Sequence, residues 1–217
     1  MTKGVMNAYV ELEVRDKNGK VVSRRRFRAK SFVANFLRIL RRIWLTTGTI
    51  SGGSTCYLGF STAEPVDIGS NARAVLAGAH TTTATQINRC VSKMDAGVGD
   101  VNSGIRVGTG SSAPAPTQVV LDTAIAEGVG GGQMSHGAVT IDAISIVGAV
   151  TTLRIIRVMT NSSGGAITVN EVGLFVYAQY AYGSDASFMI ARDLVAGGIS
   201  VPNGSSLTVR YVLTTTT

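Results

Sequence analysis

Chemistry in this chain of 217 residues would have to start from very few groups. His80 and His136 are its two imidazoles, and neither has a Cys, His or Asp at a metal-ligand spacing. Ser135 and His136 are adjacent, which in a strand points them to opposite faces; the acid that could approach His136, across a hairpin, is Asp142. Gly108-Thr109-Gly110 superficially matches a phosphate-cradling glycine turn. No Gly-Lys-Ser/Thr follows it, and Ala113-Pro114-Ala115-Pro116 is no helix start. Cys56 and Cys90 lack a CxxC or Cys/His spacing and read as small apolar side chains. Glu64, Asp67, Asp95, Asp100, Asp122, Glu127 and Asp142 are scattered, without the alternating acids of a calcium loop; they leave open a divalent ion at a subunit contact, but no resident metal or cofactor is expected. These residues point away from an enzyme and from a small-molecule substrate.

The chemistry that remains is cationic. Residues 1–47 carry twelve Lys and Arg against three Asp and Glu, a surplus of +9, whereas the other 170 residues carry eight against ten, or −2; together they give the chain its +7. Arg24, Arg25, Arg26, Arg28, Lys30, Arg38, Arg41 and Arg42 form the basic set. They could neutralise phosphate without base readout, pair with acids on a neighbouring subunit, or remain a solvated face.

The elements that carry this set are a hairpin and a helix. Val10, Leu12 and Val14 alternate with Tyr9, Glu11, Glu13 and Arg15, the period of a strand with one buried face. Asp16-Lys17-Asn18-Gly19 turns the chain into Lys20–Arg28, where Val22, Arg24, Arg26 and Arg28 share one face and Val21, Ser23, Arg25 and Phe27 the other. From Ser31 to about Leu45 the period changes. Phe32, Val33, Phe36, Leu37, Leu40, Ile43 and Trp44 recur at spacings of three and four, which predicts an amphipathic helix capped by Ser31, with those seven residues as its docking face. Such a face also suits a membrane interface, but the compact hairpin before it favours packing on protein, so no membrane partner is expected. The chain opens on Met1 and has no apolar run of about 18 residues, so neither a span nor a secretory leader is expected and synthesis in a cytoplasm is implied.

Residues 48–217 read as a β-rich body following this basic module of residues 1–47. Gly 26, abundant Ser and Thr and few Glu, Lys or Gln favour short strands between turns. Thr55–Phe60, Ile105–Gly110, Val139–Val147, Thr152–Met159, Ile167–Val169, Val172–Tyr177, Phe188–Arg192 and Leu207–Leu213 are the candidates, with turns at Asn161–Gly165 and Pro202–Gly204. Leu121–Ile125 suits a strand or one helical turn, residues 71–94 are ambiguous, and Glu127–Gln133 reads as loose surface chain or a crossing between subunits. The fold class expected is mainly β: an antiparallel β-sandwich or jelly-roll-like body with an N-terminal hairpin and one amphipathic helix. A mean hydropathy of +0.26 with 15% charged residues suggests that much of the surface faces neighbouring subunits. Glu171, beside Gly173, is expected at a turn or bulge where the chain enters a buried strand, its carboxylate bonded to nearby backbone N–H groups.

Several stretches resemble structural proteins of tailed bacteriophages. They are Ile105-Arg106-Val107-Gly108-Thr109-Gly110 with Ala113-Pro114 and Leu121-Asp122, then Thr160-Asn161-Ser162-Ser163-Gly164 followed by Ile167–Phe175, then Phe188-Met189-Ile190-Ala191-Arg192 with Val201-Pro202-Asn203-Gly204, and Lys30–Leu37 near the start. The resemblance implies a β-rich virion component present in many copies, and it supplies no catalytic residues. On that basis the chain is expected in the virion as a capsid-associated protein (shell, cementing or minor capsid), contacting copies of itself, other virion proteins and, non-specifically, packaged DNA. Asn170-Glu171-Val172-Gly173-Leu174 also resembles tail-fibre and tail-attachment proteins, which keeps a tail or neck component in view. A carbohydrate-binding tail-fibre sandwich would use Tyr177, Tyr180 and Tyr182.

Overall fold

The computed structural model describes residues 5–33, 36–37, 66–67, 72–73, 93–181 and 184–216. Eleven strands run through them: β1 Val5–Arg15, β2 Val21–Arg28, β3 Val66–Asp67, β4 Ala72–Arg73, β5 Gly104–Gly108, β6 Ser135–Ile141, β7 Ser145–Val147, β8 Val150–Thr160, β9 Ile167–Ala181, β10 Ser184–Val201 and β11 Ser206–Thr216. The protein is mainly β, and its named strand pairs are antiparallel. One large sheet has the order β2-β1-β11-β8-β6, with β7 also on β8; a second has the order β10-β9-β5, and β3 and β4 pair by themselves.

Turn chemistry starts the larger sheet. Asp16 Oδ1 accepts the N–H groups of Asn18 and Lys20 at 2.9 Å each, and Gly19 takes φ +79°, a conformation an L side chain resists. The hairpin then joins the body through β11, with β1 in register along its whole length from Val5↔Thr216 to Arg15↔Ser206. Val10, Leu12 and Val14 enter the same buried cluster as Ile105, Val107, Val172, Leu174, Phe188, Ile190, Leu207, Val209 and Tyr211. The boundary expected near residue 47 lies outside the described residues, but hairpin and body share one sheet and one core. The alternation expected in β11 places Leu207, Val209 and Tyr211 at zero exposure.

At the far end of the core, two turns forty residues apart are tied together by one side chain. Buried Asn161 donates through Nδ2 to the carbonyls of Gly165 (2.8 Å) and Val201 (2.7 Å), and its Oδ1 accepts the Ser163 N–H (3.0 Å) and hydroxyl (2.7 Å). Asn203 Oδ1 returns the tie by accepting the Gly164 N–H at 3.0 Å. Both turns were expected; their joining depends on β8 and β11 being neighbours.

Several expectations need correction. Ile167–Val169 and Val172–Tyr177 are one continuous strand, β9, and the irregularity falls instead on its partner, where the register shifts between Leu194 and Ile199 across Gly197 and Gly198 at φ +73° and +64°. Val139–Val147 is not one strand but β6 and β7, interrupted at Asp142–Ile144. Leu121–Ile125 is loop with a single bridge, Ala124 to Gly108. Glu127–Gln133 is closed on itself rather than loose: the Gly128 N–H bonds Met134 O at 3.2 Å and the Gly130 N–H bonds Gln133 Oε1 at 2.9 Å. The helix expected from Ser31 does not start there, because Phe32 bridges Ala191 and the Val33 N–H bonds Ile190 O at 3.1 Å, in extended chain along β10. The first turn-like bond joins the Phe36 N–H to Val33 O at 2.9 Å. Residues 38–45 of that helix, Thr55–Phe60 and most of 71–94 lie outside the described residues.

Because Leu12 shares the central core, Leu12→Ala is expected to lower the stability of the whole protein by about 2 to 5 kcal/mol in a single urea transition followed by far-ultraviolet circular dichroism. Two transitions, with the larger unshifted, would mean the hairpin folds apart from the body.

Candidate functional site

Strand alternation places the basic residues, and pairing decides how much of their charge is available. On β2, Arg24, Arg26 and Arg28 point to the outer face of the large sheet, about 7 Å apart along the strand. On the same face β1 presents Tyr9, Glu11, Glu13 and Arg15. Glu13 binds Arg24 (Nε 2.8 Å, Nη2 2.7 Å) and Arg15 (2.7 Å); Glu11 pairs with Arg26 at 3.1 Å; and the Arg26 guanidinium lies 4.4 Å from the Tyr9 ring centroid. Arg28 donates to Asn7 Oδ1. Burial opposes ionisation of Glu13, but the bonds from Arg15 and Arg24 outweigh it and hold the carboxyl below its ordinary range.

Arg210 extends the face from β11, opposite Glu11, and a hollow of about 330 Å³ lies beside Glu11, Glu13, Arg24, Arg26 and Arg210. Five arginines against two glutamates leave this face cationic, though less so than the sequence stripe suggests. Arg25 has the opposite parity, is exposed and bonds the Arg24 carbonyl; it is outside the stripe by alternation but also lines the hollow. Lys30 contributes its backbone: with the Ser31 N–H it donates to buried Asp193 Oδ1, at 2.9 and 3.2 Å. Burial pushes the Asp193 carboxyl up, and the Tyr211 hydroxyl lies beside it while donating to Val172 O at 3.4 Å. Arg38, Arg41 and Arg42 lie outside the described residues.

Of the expected docking face, Val33 is buried with Leu121, Phe175 and Met189. Phe32 and Phe36, their ring centroids 4.6 Å apart, pack on the main core, whereas Leu37 is exposed. Leu40, Ile43 and Trp44 lie outside the described residues, as do the side chains of Tyr180 and Tyr182. Tyr177 has the Lys93 ammonium 5.7 Å from its ring centroid.

A second, buried cluster joins two of the motif stretches. Glu171, at zero exposure, accepts the N–H groups of Gly110 (3.2 Å) and Thr123 (2.8 Å) on Oε1, and those of Asp122 (3.0 Å) and Arg192 Nε (2.6 Å) on Oε2. Arg192 Nη1 continues to Ser112 O and Gln118 Oε1, both at 2.9 Å, and Nη2 lies 4.0 Å from Asp122 Oδ2. The two glycines of Gly108-Thr109-Gly110 make room for this carboxylate: a Cβ on Gly108 would stand 2.3 Å, and one on Gly110 2.6 Å, from Glu171 Oε1. The glycine turn therefore cradles an internal carboxylate. The backbone-bonding role expected for Glu171 is present, but in mid-strand and with partners some 48 to 61 residues away.

His136 also differs from expectation. Its partner is Glu127, whose Oε2 lies 2.7 Å from both Nδ1 and the His136 N–H, while Asp142 pairs with Arg154 at 3.7 Å. Beside it, buried Arg157 donates to the carbonyls of Gly137 (2.8 Å), Ile105 (3.0 Å) and Asp100 (2.5 Å). Burial is the main cause pulling the His136 imidazole below its ordinary pKa; Arg157 acts the same way, and Glu127 opposes both. The parity of Arg15 with Glu13 was visible in the sequence, but no local signal could have linked Glu127 to His136 or Arg210 to Glu11.

Among the described residues no three His, Cys, Asp or Glu are placed to hold a metal ion, and no helix is long and apolar enough to cross a membrane. Comparison with protein-family models, curated proteins and solved structures finds no match.

Arg192→Met is expected to cost about 3 to 5 kcal/mol, because it strands a buried carboxylate, and to speed amide exchange in residues 109–123; a loss under about 1 kcal/mol would show the pair to be dispensable. For His136 the sign follows from its lowered pKa. Above pH 6.5 the imidazole is neutral folded and unfolded; as pH falls through 6.5 the unfolded chain takes up the proton first, so stability is lost down to the folded value. His136→Gln is expected to flatten the urea midpoint between pH 7.5 and about 5 relative to wild type, and parallel profiles would refute the burial argument.

Proposed function

We propose that this chain is a non-enzymatic structural subunit of a tailed-phage virion, capsid-associated, with its two large sheets forming a β-sandwich that assembles through repeated contacts. The observation that carries the reading is the use made of buried charge. Buried Glu171, Arg192, Arg157 and Asp193, with half-buried Glu127, are directed at backbone N–H and C=O groups, where they fix loops, rather than at a cleft. Supporting it, the phage-like stretches around Ile105–Gly110, Asn170–Phe175 and Phe188–Arg192 meet at the Glu171 cluster, so what resembles that group is a set of interlocking parts. Common sequence at such positions serves a scaffold.

In this reading the cationic outer face of the large sheet turns toward packaged DNA. Its contact is non-specific, since Glu11 and Glu13 hold Arg24 and Arg26 in place and nothing beside them reads a base. A tail or neck position would set the same face against an acidic ring.

Mass spectrometry of gradient-purified particles is expected to find the chain in many copies and in the head fraction after heads and tails are separated. Recovery with tails would overturn the capsid position, and absence from particles the whole reading. Replacing Arg24, Arg26 and Arg28 together with Gln is expected to reduce the slope of log K for DNA against log salt by up to about 0.9 for each arginine that meets a phosphate, with the circular dichroism spectrum unchanged. An unaltered slope would remove DNA as the partner of this face.

A further inference from the structure

Among the described residues, the edges of the larger sheet are covered or charged except at one place, and those of the second sheet are covered in part. An exposed edge strand presents unpaired N–H and C=O groups to any other chain, and proteins blunt such edges with charge or cover them. The edge of β2 carries Arg24, Arg25, Arg26 and Arg28. That of β6 is covered by residues 96–99, through Val139 N–H to Ala96 O and Gly99 N–H to His136 O, each 2.8 Å. Residues 123–125 cover β5, through Thr109 N–H to Thr123 O and Ile125 N–H to Val107 O, at 2.8 and 2.9 Å. Residues 31–33 cover β10 at Ile190–Arg192.

The exception is β7. Among the described residues it pairs with β8 alone, and its three residues are exposed. The segment 143–153 carries no charge, and the charges flanking it, Asp142 and Arg154, pair with each other. Exposed apolar side chains concentrate here: Ile146 is 72% and Val147 74% exposed, and Ile141, Ile144 and Val150 are exposed beside them. The neighbouring strand ends are uncharged too, with Met6, Thr215, Thr151 and Ile146 in one row across the sheet.

The hairpin geometry decides which groups the edge offers. Val147 and Val150 close a two-residue turn at Gly148 (φ +58°) and Ala149, which makes them a hydrogen-bonded pair and Ile146–Thr151 a non-bonded one. The N–H and C=O of Ile146 therefore point away from β8, into the open edge.

We propose that β7 pairs with β7 of a second copy, antiparallel about a two-fold axis midway between the two Ile146 residues, so that the large sheets of two copies become one. Three features select a copy of this chain as the occupant. An antiparallel edge is its own complement under a two-fold axis, and the contact closes after two subunits. The segment is uncharged, so like copies meet there without the repulsion that the arginine face of β2 would impose. Of the described edges of the large sheet, the one opposite, β2, bears arginines that disfavour a head-to-tail β7-to-β2 fibre. Because a three-residue ladder gives few bonds, the stability of the contact comes from burying Ile144, Ile146, Val147 and Val150 of both copies. The proposal rests on the assembly reading for its context, and its test is separate.

Sedimentation velocity of the full chain over a concentration series is expected to show a reversible dimer. Ile146→Lys, which sets two ammonium groups against each other across the axis, is expected to weaken it about 100-fold or more, whereas Val129→Lys, an equally exposed apolar position on the 127–133 loop, is expected to leave it unchanged. In a Cys56→Ser/Cys90→Ser background, Ile146→Cys is expected to give a disulfide-linked dimer under mild oxidation, since the Cα atoms of a hydrogen-bonded pair are about 5.5 Å apart, and Val129→Cys is not. A monomer throughout, or a dimer indifferent to Ile146→Lys and not trapped by Ile146→Cys, overturns the contact. A monomer that still enters particles removes this contact and leaves the assembly reading standing; a dimer absent from particles does the reverse.

Discussion

A carboxylate with no exposure to water has to find its donors inside the protein, and Glu171 finds four, from the chain at 110, 122 and 123 and from Arg192. That requirement fixes much else. It places a charged side chain on the face of β9 turned away from the main core, holds the loop after β5 against the sheet and demands glycine at 108 and 110, where a Cβ would strike the carboxylate. Arg192 then has to be satisfied in turn, and it reaches Ser112 and Gln118 of the same loop. Removing two charges from water is costly, and the return here is specificity of arrangement: one loop path meets all these donors and acceptors.

The same device recurs at smaller scale. Arg157 gathers three carbonyls from three segments, Glu127 meets the backbone N–H and ring Nδ1 of His136, and Asp193 holds the chain at Lys30 and Ser31 where it leaves the hairpin. Among the described residues, loops that lie over the sheets without regular pairing are anchored in this way by buried or half-buried ions. In the assembly proposed above, loops pinned in this way would present the same faces in every copy.

Its surface divides by the same economy of charge. The arginines of β2 both shield that edge and face outward, and Glu11 and Glu13 hold them in line at little energetic gain, since exposed ion pairs contribute about 0 to 1 kcal/mol. At the opposite end of the large sheet the charge is absent and the apolar residues are bare. Cationic face and uncharged edge thus lie at separate places on one sheet, leaving room for two different neighbours.

Much of the local structure was legible in the residues themselves. Alternation in β1, β2 and β11, the Asp16–Gly19 turn and the turns at 161–165 and 202–204 follow from side-chain period and turn chemistry, which act over a few residues; that Glu171 bonds backbone N–H groups was expected, but at a turn and not in mid-strand. What the tertiary structure decided is who meets whom: Glu171 with residues 110 to 123, Glu127 rather than Asp142 with His136, Glu11 between Arg26 and Arg210, and the hairpin within the body's own sheet. Strand pairing in an antiparallel protein is set by joint burial of faces contributed from distant parts of the chain, and nothing in a residue's immediate neighbours records which distant strand will complete it.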